Sequence, residues 1–150
     1  MKKQAFVLLP SCILILVFLY AGLTKWLKYK VFLKELYNQV FPAWAVQPIA
    51  WIFPAAELIS AILLMTDRTR LWGFRLATAL MAIFTAYVAF VVLHVFERVP
   101  CSCGGILGKL QWGPHLVFNL ICLAVAITGW VLEKKTTKLQ NTRKATALPA

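Results

Sequence analysis

Five side chains in this sequence have the types and spacing to do chemistry: Cys101 and Cys103, one residue apart, and Lys25, Glu57 and His115 within or beside apolar runs. The thiols belong to Pro100-Cys101-Ser102-Cys103-Gly104-Gly105, a polar break between two long apolar segments. In an oxidising compartment such a pair can close into a disulfide. A bridge across a single residue makes a tight ring, and strained disulfides are more readily reduced. Gly104 and Gly105 loosen the backbone as an approachable turn requires. These features favour thiol–disulfide exchange over a structural staple. Two other readings stay open. With His94 and His115, the thiols would form a Cys2His2 set suited to zinc or copper(I), or the pair is purely structural. The sequence assigns no resident cofactor and no metal.

Glu57 is an acid inside an apolar stretch, about 12 Å below a span that starts near Ile49, at 1.5 Å per residue. A carboxylate at membrane depth is expensive unless it is paired, which marks it as a functional candidate. Lys25 is the expected partner, because its long side chain can reach inward from the outer end of the first helix. His115, Asn119 and Cys122 share a helix face. So do Phe84, Tyr87, Val91 and His94 on the preceding helix. His115 either ties helices together or stands beside the thiols, where an imidazolium would favour the thiolate.

The elements that must position these residues are membrane helices. The chain is 61% hydrophobic with a mean hydropathy of +0.77, well above a soluble domain. Charge-poor stretches at residues 4–24, 36–65, 76–96 and 110–132 reach the length of about 20 residues that a spanning helix needs. The expectation is an all-α, four-helix transmembrane bundle over residues 1–132. Its helices run roughly over residues 5–24, 49–65, 71–96 and 114–132. Residues 26–39 mix lysines with Trp26, Phe32 and Leu36, which predicts an interfacial helix between the first two spans. Gly22 permits a close neighbour, Trp44 and Trp51 anchor the chain as it returns to the membrane, and Pro54 bends the second span. The first segment is expected to be retained. Its apolar run is long for a cleaved signal and lacks a small-x-small site near its end. Cys12 then reads as an inert thiol on an apolar face.

Charge sets the expected orientation. Lys2, Lys3, Arg68, Arg70, Arg75, Lys134, Lys135, Lys138, Arg143 and Lys144 fall on the side of the termini, ten in all. Lys25, Lys28, Lys30, Lys34, Arg98 and Lys109 make six on the other. The positive-inside bias places the termini in the cytoplasm and the Cys101–Cys103 turn outside a bacterial inner membrane. The net charge of +11 needs no nucleic acid partner. Residues 133–150 read as a disordered, polybasic cytoplasmic tail facing the lipid bilayer.

Several dispersed elements together resemble a known family. They are Tyr20-Ala21-Gly22-Leu23-Thr24-Lys25, the stretch from Trp51 to Glu57 with Pro54, Phe84-Thr85-Ala86-Tyr87, Cys101-Ser102-Cys103-Gly104-Gly105, then Trp112, His115 and Asn119. This order looks like the MauE/DoxX-like group of bacterial membrane proteins, over about residues 5–132. The resemblance implies a four-helix, redox-associated inner-membrane protein. The group's namesake supports maturation of the disulfide-rich small subunit of methylamine dehydrogenase. The family pattern is often Cys-x-Cys-Phe-Gly, and here Gly104 replaces the aromatic. The implied partner is an extracytoplasmic thioredoxin-like protein or a disulfide-containing client. The alternative is a non-enzymatic scaffold or a metal-handling subunit of a DoxX-like complex.

Overall fold

A computed structural model describes residues 2–95 and 112–146. Cys101 and Cys103 lie outside the described residues. Five helices follow in order: α1 (Lys2–Leu27), α2 (Tyr29–Tyr37), α3 (Ala43–Met65), α4 (Arg70–Val92) and α5 (Trp112–Thr146). No strand occurs among the described residues. Four helices are long and apolar enough to cross a membrane, over Phe6–Leu27, Ala43–Met65, Arg70–Val92 and Gly113–Leu139. The protein is an all-α membrane bundle.

The spanning helices form a closed ring. α1 packs on α3 and α5, α3 on α4, and α4 on α5, while α2 lies against α3 and the end of α1. Leu14, Phe18, Leu64, Phe74, Ala77 and Ala126 fill the centre. Phe6, Leu9, Leu16, Ile52, Ile62 and Ile83 point outward and are exposed, as lipid-facing residues must be. Lipid gives helices no hydrophobic reason to associate, so close backbone approach matters more than in water. Gly22 provides it between α1 and α3. A β-carbon there would stand 2.9 Å from the Leu58 side chain and 3.2 Å from the Pro54 carbonyl oxygen.

Three threonine hydroxyls inside the spans are satisfied locally. Thr24, Thr78 and Thr128 donate to the carbonyls four residues back, of Tyr20, Phe74 and Ala124, at 2.7, 2.8 and 2.7 Å. Such bonds let a polar side chain sit at membrane depth without a partner on another helix.

Three boundaries differ from the sequence expectation. α3 begins at Ala43, six residues before Ile49, because Pro42 caps it in an extended conformation. Its first turns then bury Val46 and Ala50 against Phe32 and Leu36 of α2, the shared cluster that holds the interfacial helix in place. Glu57 therefore stands fourteen residues into α3, about 21 Å along it. α4 ends at Val92, short of Phe96. His94 turns into the left-handed region with φ 54°, where its N–H donates to the Val91 carbonyl and that of Val95 to the Phe90 carbonyl, both at 3.1 Å. That pair of bonds is a Schellman closure, with histidine at the position glycine usually fills. Finally, the helix continues where disorder was expected for the tail at 133–150, since α5 carries residues 133–146. Glu133 is buried beside Arg70, and this contact carries the helix past the end of the apolar run.

Candidate functional site

Alternation of the helices brings the end of α1, the start of α3, the end of α4 and the start of α5 to one end of the bundle, which α2 covers. Cys101 and Cys103 fall in the sequence between these two ends of α4 and α5, outside the described residues. Aromatic side chains ring this end of the bundle. Trp26 and Trp51 meet edge to face at 6.4 Å between ring centroids, and Tyr29 tilts against Trp51 at 5.4 Å. Tyr29 also donates its hydroxyl to Gln47 at 3.1 Å. This is the aromatic belt of a membrane interface. Trp44 at the start of α3 is 80% exposed.

Beneath the belt, the expected intramembrane pair is present. Lys25 of α1 donates its ammonium to Oε1 of Glu57 on α3. Glu57 is 1% exposed. The ammonium sits 5.4 Å from the Phe84 ring centroid and 5.9 Å from that of Phe32, within reach of a favourable cation–π contact. α1, α2, α3 and α4 thus all meet at one nitrogen. Such an arrangement offsets the cost of carrying two charges to this depth by pairing them and by facing the cation with aromatic quadrupoles.

The pair lines a cavity of about 360 Å³ to which all five helices contribute. His115 and Asn119 reach it from α5, on the face the sequence expected, and Phe84 and Tyr87 from α4. Cys122 of the same α5 face is buried in the apolar core instead, and Cys12 is exposed on α1. The described residues hold no group of three His, Cys, Asp or Glu side chains positioned for a metal. His94 is exposed at the helix end.

Two features of the bundle lie beyond the sequence reading. Gln39, just after α2, accepts the hydroxyl proton of Tyr87 across 48 residues of sequence, and Phe41 stacks on the Tyr87 ring at 5.5 Å. The cap formed by α2 is thereby tied to α4. At the opposite end of the bundle, Arg70 is buried, pairs with Asp67 and stands beside Glu133. Thr69 closes the α3–α4 turn there by donating to the Leu63 carbonyl at 2.8 Å. Tyr87 was singled out by its helix face, but nothing in Gln39's polar surroundings distinguished it from a solvated residue.

The family described as methylamine utilisation protein MauE matches residues 3–132. Among curated proteins and solved structures there is no match to the chain. The family match runs from the first turn of α1 into α5 and takes in the Lys25–Glu57 pair, the cavity and the thiol turn; the chain belongs to the MauE family, membrane proteins associated with methylamine utilisation.

Proposed function

We propose that this protein supports extracytoplasmic thiol–disulfide exchange from the bacterial inner membrane, with Cys101 and Cys103 as the exchanging pair. The observation that carries this reading is the paired-thiol motif in the sequence between α4 and α5, whose flanking helix ends meet where the aromatic side chains and the cavity lie. Ten basic residues on the side of the termini against six on the thiol side favour the orientation with the termini in the cytoplasm. The turn then meets soluble partners of the oxidising compartment, a thioredoxin-like protein or a disulfide-containing client. In one exchange cycle a partner thiolate attacks one sulfur of the Cys101–Cys103 disulfide and forms a mixed disulfide. The partner's second thiolate displaces it, leaving the partner oxidised and the pair reduced by two electrons and two protons. The reverse sequence reduces a partner disulfide.

Within this reading the helices are a platform. Lys25 and Glu57 lock α1 to α3, and His115 in the first turns of α5 supplies a cation when protonated that would favour a nearby thiolate. The test is to trap the partner. Cys101→Ser and Cys103→Ser proteins should insert and fold, since bundle packing supplies the stability. Each should lose exchange, and one should accumulate a covalent adduct with an extracytoplasmic protein, visible on non-reducing gels. A double Ser variant that keeps full activity in maturing its client would reduce the turn to architecture and leave a non-enzymatic scaffold.

A further inference from the structure

We infer that a second cavity, at the end of the bundle that holds the α3–α4 turn, binds the zwitterionic headgroup of an aminophospholipid, with the ammonium on Glu133 and the phosphate on Arg68. Neither the thiol turn nor the side of the membrane this end faces enters into it. The cavity has a volume of about 280 Å³ and lies between Val7 of α1, the turn that leads into α4, and Glu133, Thr136 and Thr137 of α5. Glu133 is 6% exposed and sits inside a membrane-spanning stretch, where a carboxylate needs a partner. No hydrogen bond or ion pair among the described residues takes it up, and neither of its oxygens is among the polar atoms sealed off without a partner. They are open to the cavity that Glu133 lines.

Charge narrows the class. Arg70 gives its Nη2 to Asp67 and stands beside Glu133. One guanidinium thus serves two carboxylates, and one negative charge stays unanswered at the buried side of the cavity. Arg68, exposed at the rim, is the other cation in the lining. A ligand that completes both brings a cation to Glu133 and an anion to Arg68. A primary ammonium offers three hydrogens. Those serve Glu133 and the oxygen of Thr136, whose own proton already goes to the Leu132 carbonyl at 3.0 Å. A bare phosphate or an anionic headgroup would bring its charge against Glu133. A metal ion lacks ligands, since no three His, Cys, Asp or Glu side chains gather among the described residues. A soluble amine would leave the apolar wall of Val7, Leu71 and Trp72 unused. That wall stands at headgroup depth. Trp72 is 61% exposed and Arg75 covers its ring at 4.5 Å, the amphipathic pairing of a membrane boundary.

The experiment titrates the full-length protein in detergent micelles with palmitoyl-oleoyl phosphatidylethanolamine, phosphatidylcholine or phosphatidylglycerol, read by native mass spectrometry. We expect one phosphatidylethanolamine retained per chain. Phosphatidylcholine keeps the phosphate and both acyl chains but has no N–H to give Glu133. It should bind about tenfold more weakly, the factor expected for one hydrogen bond to a charged group. Glu133→Gln should bind these two lipids alike, whereas Arg68→Gln should weaken both by a similar factor, because both carry the phosphate. The lipid comparison is made on the unaltered protein, so it decides the matter even where a variant fails to accumulate. Equal retention of phosphatidylethanolamine and phosphatidylcholine overturns the inference, as does a preference for phosphatidylglycerol or the absence of any retained lipid. A preference for phosphatidylethanolamine that survives Glu133→Gln would equally sink it.

Discussion

At the scale of single residues, the Lys25–Glu57 pair is where sequence and structure meet most directly. An acid in an apolar run needs a partner, and only one cation lay within reach on the helix before it. The pairing could therefore be read from residue types alone. Gln39 could not, because its partner Tyr87 is 48 positions away and nothing in a lysine-rich helix separates a buried glutamine from a solvated one. The pair also yields an asymmetric prediction. Lys25→Met strands an acid that is 1% exposed, and should cost about 3 kcal/mol of stability. Glu57→Gln should cost clearly less, because the freed lysine is already part-exposed and can reach toward the interface. The double variant should recover part of the loss. Melting curves in detergent or nanodiscs read this out, and equal, small losses from the two single variants would mean that Glu57 faces water rather than its lysine.

Among the elements, helix existence was legible and helix ends were not. Each span carries enough apolar residues to declare itself, but its limits are set by contacts that hydropathy does not encode. α3 gains two turns because Val46 and Ala50 find Phe32 and Leu36 on α2, and α5 gains several because Glu133 finds Arg70. The end of α4 is set by a hydrogen-bond closure that tolerates histidine in a left-handed conformation. A non-glycine residue there costs about 1 kcal/mol or more. His94→Gly should accordingly stabilise the protein by about 1 kcal/mol, measured as a raised unfolding midpoint. The same variant separates two readings of the thiol turn. Exchange activity should survive it, because that chemistry needs no imidazole at position 94. Loss of activity together with loss of bound zinc or copper would favour the Cys2His2 alternative.

For the whole molecule, the four-span bundle followed from length, hydropathy and the positions of charge, while the cavity between the helices did not. A cavity is a property of five helices meeting, and no window of sequence contains it. Orientation can be tested on the intact cell. A membrane-impermeant thiol reagent applied to spheroplasts should label reduced Cys101 and Cys103, and labelling that appears only after lysis would reverse the assignment and remove the exchange proposal with it. The Lys25–Glu57 bond also bears on how the molecule is made. Glu57 leaves the ribosome 32 residues after Lys25, so α1 is already synthesised when α3 must leave the insertion channel for lipid. A bare carboxylate would make that step unfavourable, and a waiting ammonium removes the obstacle. The first helix thus acts as an intramolecular escort for the third, and the order of the genes' codons is itself part of how this bundle assembles.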